Sequence, residues 1–252
     1  MQKRKTAVII LAAGLGTRMK SQKAKVLHEI LGRPMILYVV ETADKISRGH
    51  VTVVVGYQAE KVRQVVSEQV EVSYALQERQ LGTGHAVSCA LPLLPDDVQD
   101  VVILCGDVPI LRPETVLGLI DDHIASRRDL SVLAVNVPDP TGYGRILADA
   151  DGMVKGIVEE ADASAQQKRI NTINTGIYCV EREFLKESLS KIKPDNTQKE
   201  FYLTDIIEIG YKAGKRVGIT ISDDHEEVIG VNSRRDLEIA ARAMRRRKSK
   251  IS

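Results

Sequence analysis

The sequence predicts an α/β protein built on a doubly wound, mostly parallel sheet of Rossmann-like type, with a mixed β part inserted in its second half. Three observations predict it. Apolar, β-branched runs recur at 7–10, 51–55, 101–105 and 130–135, as strands covered on both faces require. Helical stretches separate most of them, giving a β-α-β rhythm. The first run leads straight into a glycine bend, Leu11-Ala12-Ala13-Gly14-Leu15-Gly16-Thr17-Arg18-Met19. That bend lies at the carboxyl end of a strand, where open α/β sheets bind ligands.

Residues 34–46 read as the first helix, with Pro34 in its first turn, where the missing N–H costs nothing. Residues 59–67 and 113–125 read as further helices, and 84–91 as a helix opening on Gly82-Thr83-Gly84. The rhythm changes after Pro138. Short runs at 142–146 and 153–158 flank Asp151-Gly152, a hairpin signal. Residues 161–169 are polar and read as loop or a short exposed helix. Strand character resumes at 177–180 and again at 217–221, with helices expected at 183–190 and 203–213. A last helix from Ser233 ends in Arg242, Arg245, Arg246, Arg247, Lys248 and Lys250. No internal repeat is present, and no hexapeptide periodicity of a β-helix.

Composition narrows the function classes. At 252 residues the chain can bury one large core, and 43% hydrophobic with 28% charged residues is an ordinary globular balance. A net charge of +2 argues against a general polyelectrolyte binder, so no nucleic-acid partner is expected. No apolar stretch is long enough to span a bilayer, so no membrane partner is expected. The basic start, Met1 to Lys5, precedes an apolar run too short for a secretory signal. Cys89, Cys105 and Cys179 are far apart in apolar surroundings and read as buried free thiols in a cytoplasmic protein.

The glycine bend carries the first chemistry. Gly14 and Gly16 allow close approach of a ligand to the backbone. Arg18 and Lys25 add fixed positive charge. Exposed N–H groups with two cations make an anion site suited to a nucleotide's phosphates. The bend is neither of the familiar fingerprints. Met19 stands where a dinucleotide fold has its third glycine, and no Gly-Lys-Ser/Thr follows as in a P-loop. Cys105-Gly106-Asp107 closes a buried strand at the same edge. Its carboxylate suits Mg²⁺, a hard cation held by one or two protein oxygens plus substrate phosphates. Asn232, read alone, is an N-cap before the last helix. Gln77 is either a base-reading amide or a surface polar, Gly142 and Gly144 shape a bend, and Glu159 is one acid in an acidic loop.

Taken together the motifs resemble the sugar-nucleotide pyrophosphorylases, a nucleotide-diphospho-sugar transferase fold. Within them the chain is most similar to uridylyltransferase domains specific for N-acetylglucosamine 1-phosphate. The likeness runs through nearly the whole chain. It rests on the bend at 11–19, K-V-L-H at 25–28, Q-E-R-Q-L-G-T-G-H-A-V at 77–87 and C-G-D-V-P at 105–109. It continues through G-Y-G-R-I at 142–146, I-V-E-E at 157–160, I-N-T-G-I-Y at 173–178, F-Y-L-T-D-I-I at 201–207 and G-V-N-S-R at 230–234.

The resemblance implies roles. Leu11, Ala12, Ala13, Gly14, Gly16 and Lys25 would hold the nucleotide, and Gln77, Gly82 and Thr83 would complete uridine recognition. Gly144, Glu159 and Asn174 would bind the sugar phosphate. Asp107 and Asn232 would ligate Mg²⁺, with Arg18 and Lys25 catalytic. Tyr202 and Asp205 would stand behind the ligands. A nucleotidyltransferase domain would span 1–232, with a nucleotide part to about 138 and a sugar part from about 139. Residues 233–252 would form a basic helix, readable as a linker to a further domain or as a solvated helix end.

The expected reaction joins UTP and N-acetylglucosamine 1-phosphate into UDP-N-acetylglucosamine and diphosphate. The phosphate nucleophile is already anionic near neutral pH, so His85 is not assigned as a base. His28 and His123 read as surface or packing residues. Ala24 stands where relatives commonly have proline, which predicts a more mobile Lys25 loop. Without a β-helix repeat, no acetyl transfer is expected. Three alternatives stay open: another sugar or nucleotide, a silent sugar-nucleotide sensor, or a nucleic-acid binder using the C-terminal cluster. The sequence sets no oligomeric state and is compatible with a homo-oligomer.

Overall fold

The computed structural model describes residues 4–149, 152–228 and 230–251. Strand β1 (Thr6–Leu11) is followed by a two-residue antiparallel pair, β2 (Glu29–Ile30) and β3 (Arg33–Pro34), and by helix α1 (Met35–Ile46). Next come β4 (Val51–Val55), α2 (Ala59–Ser67), β5 (Ser73–Leu76), α3 (Thr83–Ala90), β6 (Asp100–Cys105) and α4 (Pro113–Ala125). The second half holds β7 (Leu130–Asn136), β8 (Arg145–Ala148), β9 (Val154–Val158), β10 (Thr172–Glu181), α5 (Arg182–Leu189), α6 (Asp205–Lys212) and β11 (Val217–Ser222). A short α7 (His225–Val228) and the long α8 (Arg234–Ile251) end the described chain.

The main sheet runs β11-β7-β10-β6-β1-β4-β5, with β8 pairing β10 and β9 pairing β8. The pairs β6–β1, β1–β4, β4–β5 and β11–β7 are parallel. Long β10 lies antiparallel between β6 and β7. The expected mixed part is therefore stitched into the main sheet through β10.

Both faces of the sheet are covered, as the uninterrupted apolar runs require. Val8 and Ile10 of β1 point into one core, with residues of α1, α2 and α4. Ala7 and Ile9 point into the other, with residues of α3, α5 and α6. Strand periodicity puts neighbours on opposite faces, so a strand buried on both sides is apolar at nearly every position, with buried Thr52 of β4 and Ser131 of β7 as polar exceptions. Helix α8 lies in a third cluster, in which Ala240 and Ala243 pack with Ile30, Met35, Ile110 and Val231.

Most expected elements are present, with instructive shifts. Pro34 lies before the helix as its N-cap and pairs in β3. Residues 142–144 are loop, and the strand starts at Arg145. The hairpin between β8 and β9 forms, closed by Asp149 N–H to the Met153 carbonyl. Asp151 and the side chains of Lys248 and Lys250 lie outside the described residues. The segment 161–169 is turns with a short 3-10 turn at Gln167–Arg169. Of the three free thiols only Cys179 is buried; Cys89 and Cys105 are partly exposed, Cys105 because it lines a cleft. His123 is a packing residue as expected, buried and hydrogen-bonded to the Ser131 hydroxyl.

Candidate active site

Four parallel strands end at one edge, β1 at Leu11, β4 at Val55, β5 at Leu76 and β6 at Cys105. The chain leaves β1 toward β4 on one side, and β6 lies on the other. The loops after β1 and β6 therefore diverge and open a crevice, the switch point of a doubly wound sheet. Antiparallel β10 contributes its beginning to this edge, where Asn174 pairs with Ala134 and Thr172 with Asn136 at the end of β7.

A cleft of about 470 Å³ occupies the crevice. Leu11, Ala12, Ala13, Gly14, Gly16, Lys25, Gln77, Gly82, Thr83 and Asp107 line it, together with Gln80, Cys105 and Glu200. Gly16 is left-handed (φ 66°), and a Cβ there would meet Lys25 Cβ at 2.5 Å. Glycine is required twice over at that position. Gly14 is different, since nothing among the described residues lies within 4 Å of where its Cβ would be. Its lack of a side chain leaves open space in the cleft wall. Buried Met19 pins the far end of the bend.

The charged groups converge from distant parts of the chain. The Lys25 ammonium donates to Asp107 Oδ2 and, at 2.7 Å, to Asn232 Oδ1. Arg18 Nη2 donates to the same Asn232 oxygen at 2.7 Å. Lys25 and Asp107 are mostly buried, with 15% and 19% of their side chains exposed. A carboxylate oxygen and an amide oxygen thus already share one cationic partner. Two hard oxygens on one point match the few protein ligands that Mg²⁺ takes beside substrate phosphates. Gly230 keeps the space beside them clear, as a Cβ there would lie 3.3 Å from Asp107 Oδ2.

Asn232 is not the helix cap that its position suggested. The cap of α8 is reciprocal: Ser233 Oγ accepts from Asp236 N–H, and Asp236 Oδ2 accepts from the Asn232 and Ser233 N–H groups. With the helix end satisfied, the Asn232 side chain faces Arg18 and Lys25. Its Nδ2 donates to the Gly230 carbonyl at 3.1 Å, which orients the oxygen toward the cations.

On the opposite wall, buried Gln77 donates from Nε2 to the Gly82 carbonyl (3.0 Å) and to His85 Nδ1 (3.0 Å). Gln77 is no surface residue, and His85 orients its amide. Gly82 has φ 111°, and a Cβ would meet the Phe201 carbonyl at 2.6 Å. Thr83 Oγ1 accepts from Leu203 N–H at 3.0 Å, tying this wall to the 201–204 segment.

Gly144, Glu159 and Asn174 form a second group. A Cβ at Gly144 would lie 3.2 Å from Glu159 Oε1, and Asn174 N–H donates to the Gly144 carbonyl at 2.9 Å. Burial raises the Glu159 pKa, and the carboxylates of Asp162 and Asp205 raise it further. Tyr143 joins this group to the first: burial raises its phenol, as do Asp236 and Asp107, against Arg18. A register shift in β10 between Asn174 and Ile177 aims this end of the strand. At the shift, Gly176 (φ 77°) accepts from the Cys105 thiol through its carbonyl at 3.4 Å, and a Cβ there would crowd that thiol at 2.7 Å.

Arg145 and Gln80 were given no role by the sequence, whereas Tyr202 was expected behind the ligands. Arg145, only 1% exposed, donates to the Tyr143 carbonyl and pairs with Glu160 at 2.6 Å, holding the glycine loop. An arginine after a glycine bend reads as surface charge. Tyr202 is buried, its hydroxyl has no hydrogen-bond partner among the described residues, and burial beside Asp162, Glu159, Glu200 and Asp205 pushes its pKa up to about 12. Gln80 Nε2 donates to the Gln77 carbonyl.

Comparison with known proteins gives a consistent picture. The chain is 48% identical over 241 residues to the "Bifunctional protein GlmU" of Syntrophotalea carbinolica, covering 96% of this chain and 52% of that protein. It is 41% identical over 244 residues to the protein of the same name from Desulfotalea psychrophila, covering 97% of this chain and 72% of that one. The chain thus spans about half the length of most curated relatives it matches. In fold it superposes on HddC from Yersinia pseudotuberculosis, crystallised with GMP-PN, with a TM-score of 0.70 at 21% identity over 94% of this chain and 99% of that one. A family model described as nucleotidyl transferase matches residues 7–226. The chain belongs to the nucleotidyl transferase family.

Proposed function

We propose that this chain transfers a uridylyl group from UTP to N-acetylglucosamine 1-phosphate, releasing diphosphate. The convergence of Lys25, Asp107 and Asn232 carries the proposal, with Lys25 and Asn232 lying 207 positions apart. Such a cluster at the mouth of a glycine-walled cleft suits phosphates better than any uncharged ligand.

UTP fits the first group. The backbone of 11–14, Gln77, Gly82 and Thr83 would hold uracil and ribose. Lys25 and the N–H groups of the glycine bend would hold the phosphates. Gly144, Glu159 and Asn174 would hold the sugar phosphate, with Glu159 accepting from sugar hydroxyls. The division near residue 138 then separates a nucleotide side from a sugar side of one site. The sugar phosphate's oxygen attacks the α-phosphorus in line, and diphosphate leaves with the bonding electrons. No residue need take a proton, because the nucleophile is already anionic. Rate enhancement comes from positioning and from Arg18 and Lys25 neutralising charge on the leaving diphosphate. Asp107 and Asn232 would hold Mg²⁺, which supplies further neutralisation of the phosphates.

Diphosphate release across a panel of nucleoside triphosphates and sugar 1-phosphates, with Mg²⁺ or with EDTA, tests this. Release confined to UTP with N-acetylglucosamine 1-phosphate, and abolished by EDTA, is expected. Release with another pair would overturn the base or sugar assignment and keep the phosphate chemistry. UTP binding without release from any pair would favour a sensor.

A further inference from the structure

Of the four positions before Lys25, two are exposed, one is partly exposed and one is buried. Gln22 and Lys23 are exposed and Ser21 is partly so, whereas Ala24 is buried. After Lys25 the chain is anchored by buried Val26 and Leu27. On the side before it, two side chains reach across from the β4–α2 turn, Gln58 with two hydrogen bonds and Tyr57 with one. Gln58 Oε1 accepts from the Ala24 N–H at 2.9 Å, and Gln58 Nε2 donates to the Gln22 carbonyl at 3.0 Å. The Tyr57 hydroxyl donates to that carbonyl as well, at 2.9 Å. A side-chain amide presents an N–H donor and a carbonyl acceptor in one plane, as a peptide group does. Gln58 therefore pairs with residues 22–24 as a neighbouring strand would.

The backbone of Gln58 makes this pairing informative. It is left-handed, with φ 53° and ψ 39°, immediately before α2. Glycine or asparagine adopts that conformation at lower cost than glutamine. Glutamine offers a longer reach instead, one methylene beyond asparagine. Strained positions held against local preference mark functional constraints.

We infer that Gln58 is a positioning residue for Lys25. It clamps the 22–24 segment so that the ammonium is held at Asp107 and Asn232. This rests on the phosphate-binding reading of Lys25 given above. The clamp also offsets the absence of proline at position 24. Ala24 has φ −53°, a value proline adopts freely, yet its N–H is in use. A proline there would place ring carbon where Gln58 Oε1 now accepts. Tether and proline are alternative ways to hold one backbone.

The test uses Gln58→Asn, Ala24→Pro and the double variant. Asparagine suits the left-handed backbone but falls short of the loop, so Gln58→Asn keeps the wild-type melting temperature. It exposes the Ala24 amide to faster hydrogen exchange and lowers kcat about 5- to 20-fold, the scale of one lost positioning contact. KM for the sugar phosphate stays within about twofold, because Gly144, Glu159 and Asn174 are untouched. Ala24→Pro alone lowers kcat, whereas in the Gln58→Asn background it restores most of the lost rate. Unchanged exchange at Ala24 in Gln58→Asn, unchanged kcat, or losses that simply add in the double variant would each overturn the inference. Ala24 exchange is read on the protein without substrates. A clamp that reads true in a chain releasing no diphosphate would overturn the catalytic reading and leave the tether established.

Discussion

Individual side chains at this site answer to more than one partner, and that decides how each variant should behave. Asp107 meets Lys25 and is the only carboxylate in direct contact with it among the described residues. Asp107→Ala removes a proposed metal ligand and leaves the Lys25 ammonium without its counter-charge. Turnover should fall by about 100-fold or more at any Mg²⁺ concentration, measured by diphosphate release. Full activity of the variant at low Mg²⁺ would remove the metal role. Arg18 is exposed and, among the described residues, its guanidinium bonds only to Asn232, which leaves it free to move toward a leaving group. Arg18→Ala should lower kcat by about 100-fold while changing KM for UTP little, the signature of a contact made in the transition state. A raised KM with unchanged kcat would make Arg18 a ground-state clamp instead.

Among the elements, α8 has the most to tell. Two arginines of its basic end are engaged by the protein's own acids. Arg247 pairs with Asp224 at 2.6 Å, lies 3.8 Å from Glu227 and donates to the Ile110 carbonyl, while Arg246 pairs with Glu226 at 2.6 Å. Glu227 is fully buried and also receives Arg112 and Thr115. The helix is latched to the segment before it, and its capped start presents Asn232 to the site. Arg247→Ala should destabilise the fold by about 1–3 kcal/mol, read by denaturant unfolding, because it removes charge from a buried carboxylate. A loss within 0.5 kcal/mol, about that of an exposed pair, would show that the latch is only a surface contact. Near the middle of the sheet, β10 shows why strand direction escaped prediction. Its run Ile177-Tyr178-Cys179-Val180 is as apolar as β1 or β6, and hydropathy carries no sign of direction. Strand β5 escaped for the opposite reason. It lies at the sheet edge, and its Ser73 and Leu76 are exposed, so no continuous apolar run marks it.

Across the whole molecule, buried acids make stability depend on pH in opposing ways. Asp205, at the start of α6, is raised to about 6 by burial and by the nearby carboxylates of Glu208 and Asp162. A carboxyl whose folded pKa lies above its unfolded value favours the folded state while protonated. Its contribution is fully present below about pH 4 and is lost as pH rises through about 6. Burial would also raise Asp100, but His123 and Arg4 outweigh it and hold that group low. Its contribution runs the other way, present above about pH 4 and lost on acidification. The two are separated by substitution. Asp205→Asn should be more stable than the parent at pH 7, by up to about 3 kcal/mol, and the gap should close by pH 4. Thermal unfolding of both proteins across that range measures it, and a pH-independent gap would show that Asp205 is not titrating.

The sequence alone determined the layered α/β architecture, the glycine bend at a strand end and the set of polar residues worth placing. Those properties are local: a strand buried on both faces is mostly apolar, and a tight bend favours glycine. Only the tertiary structure decided which of those residues meet. It put Asn232 beside Lys25 by giving the cap of α8 to Ser233 and Asp236. It put Gly144 against Glu159 by pairing β8 with β9. It assigned Gln58 to the Lys25 loop through a turn that nothing near residue 25 could reveal. Contacts of this kind depend on sheet order and strand direction, which are settled by packing energy summed over the whole chain and leave no mark on any single stretch of it.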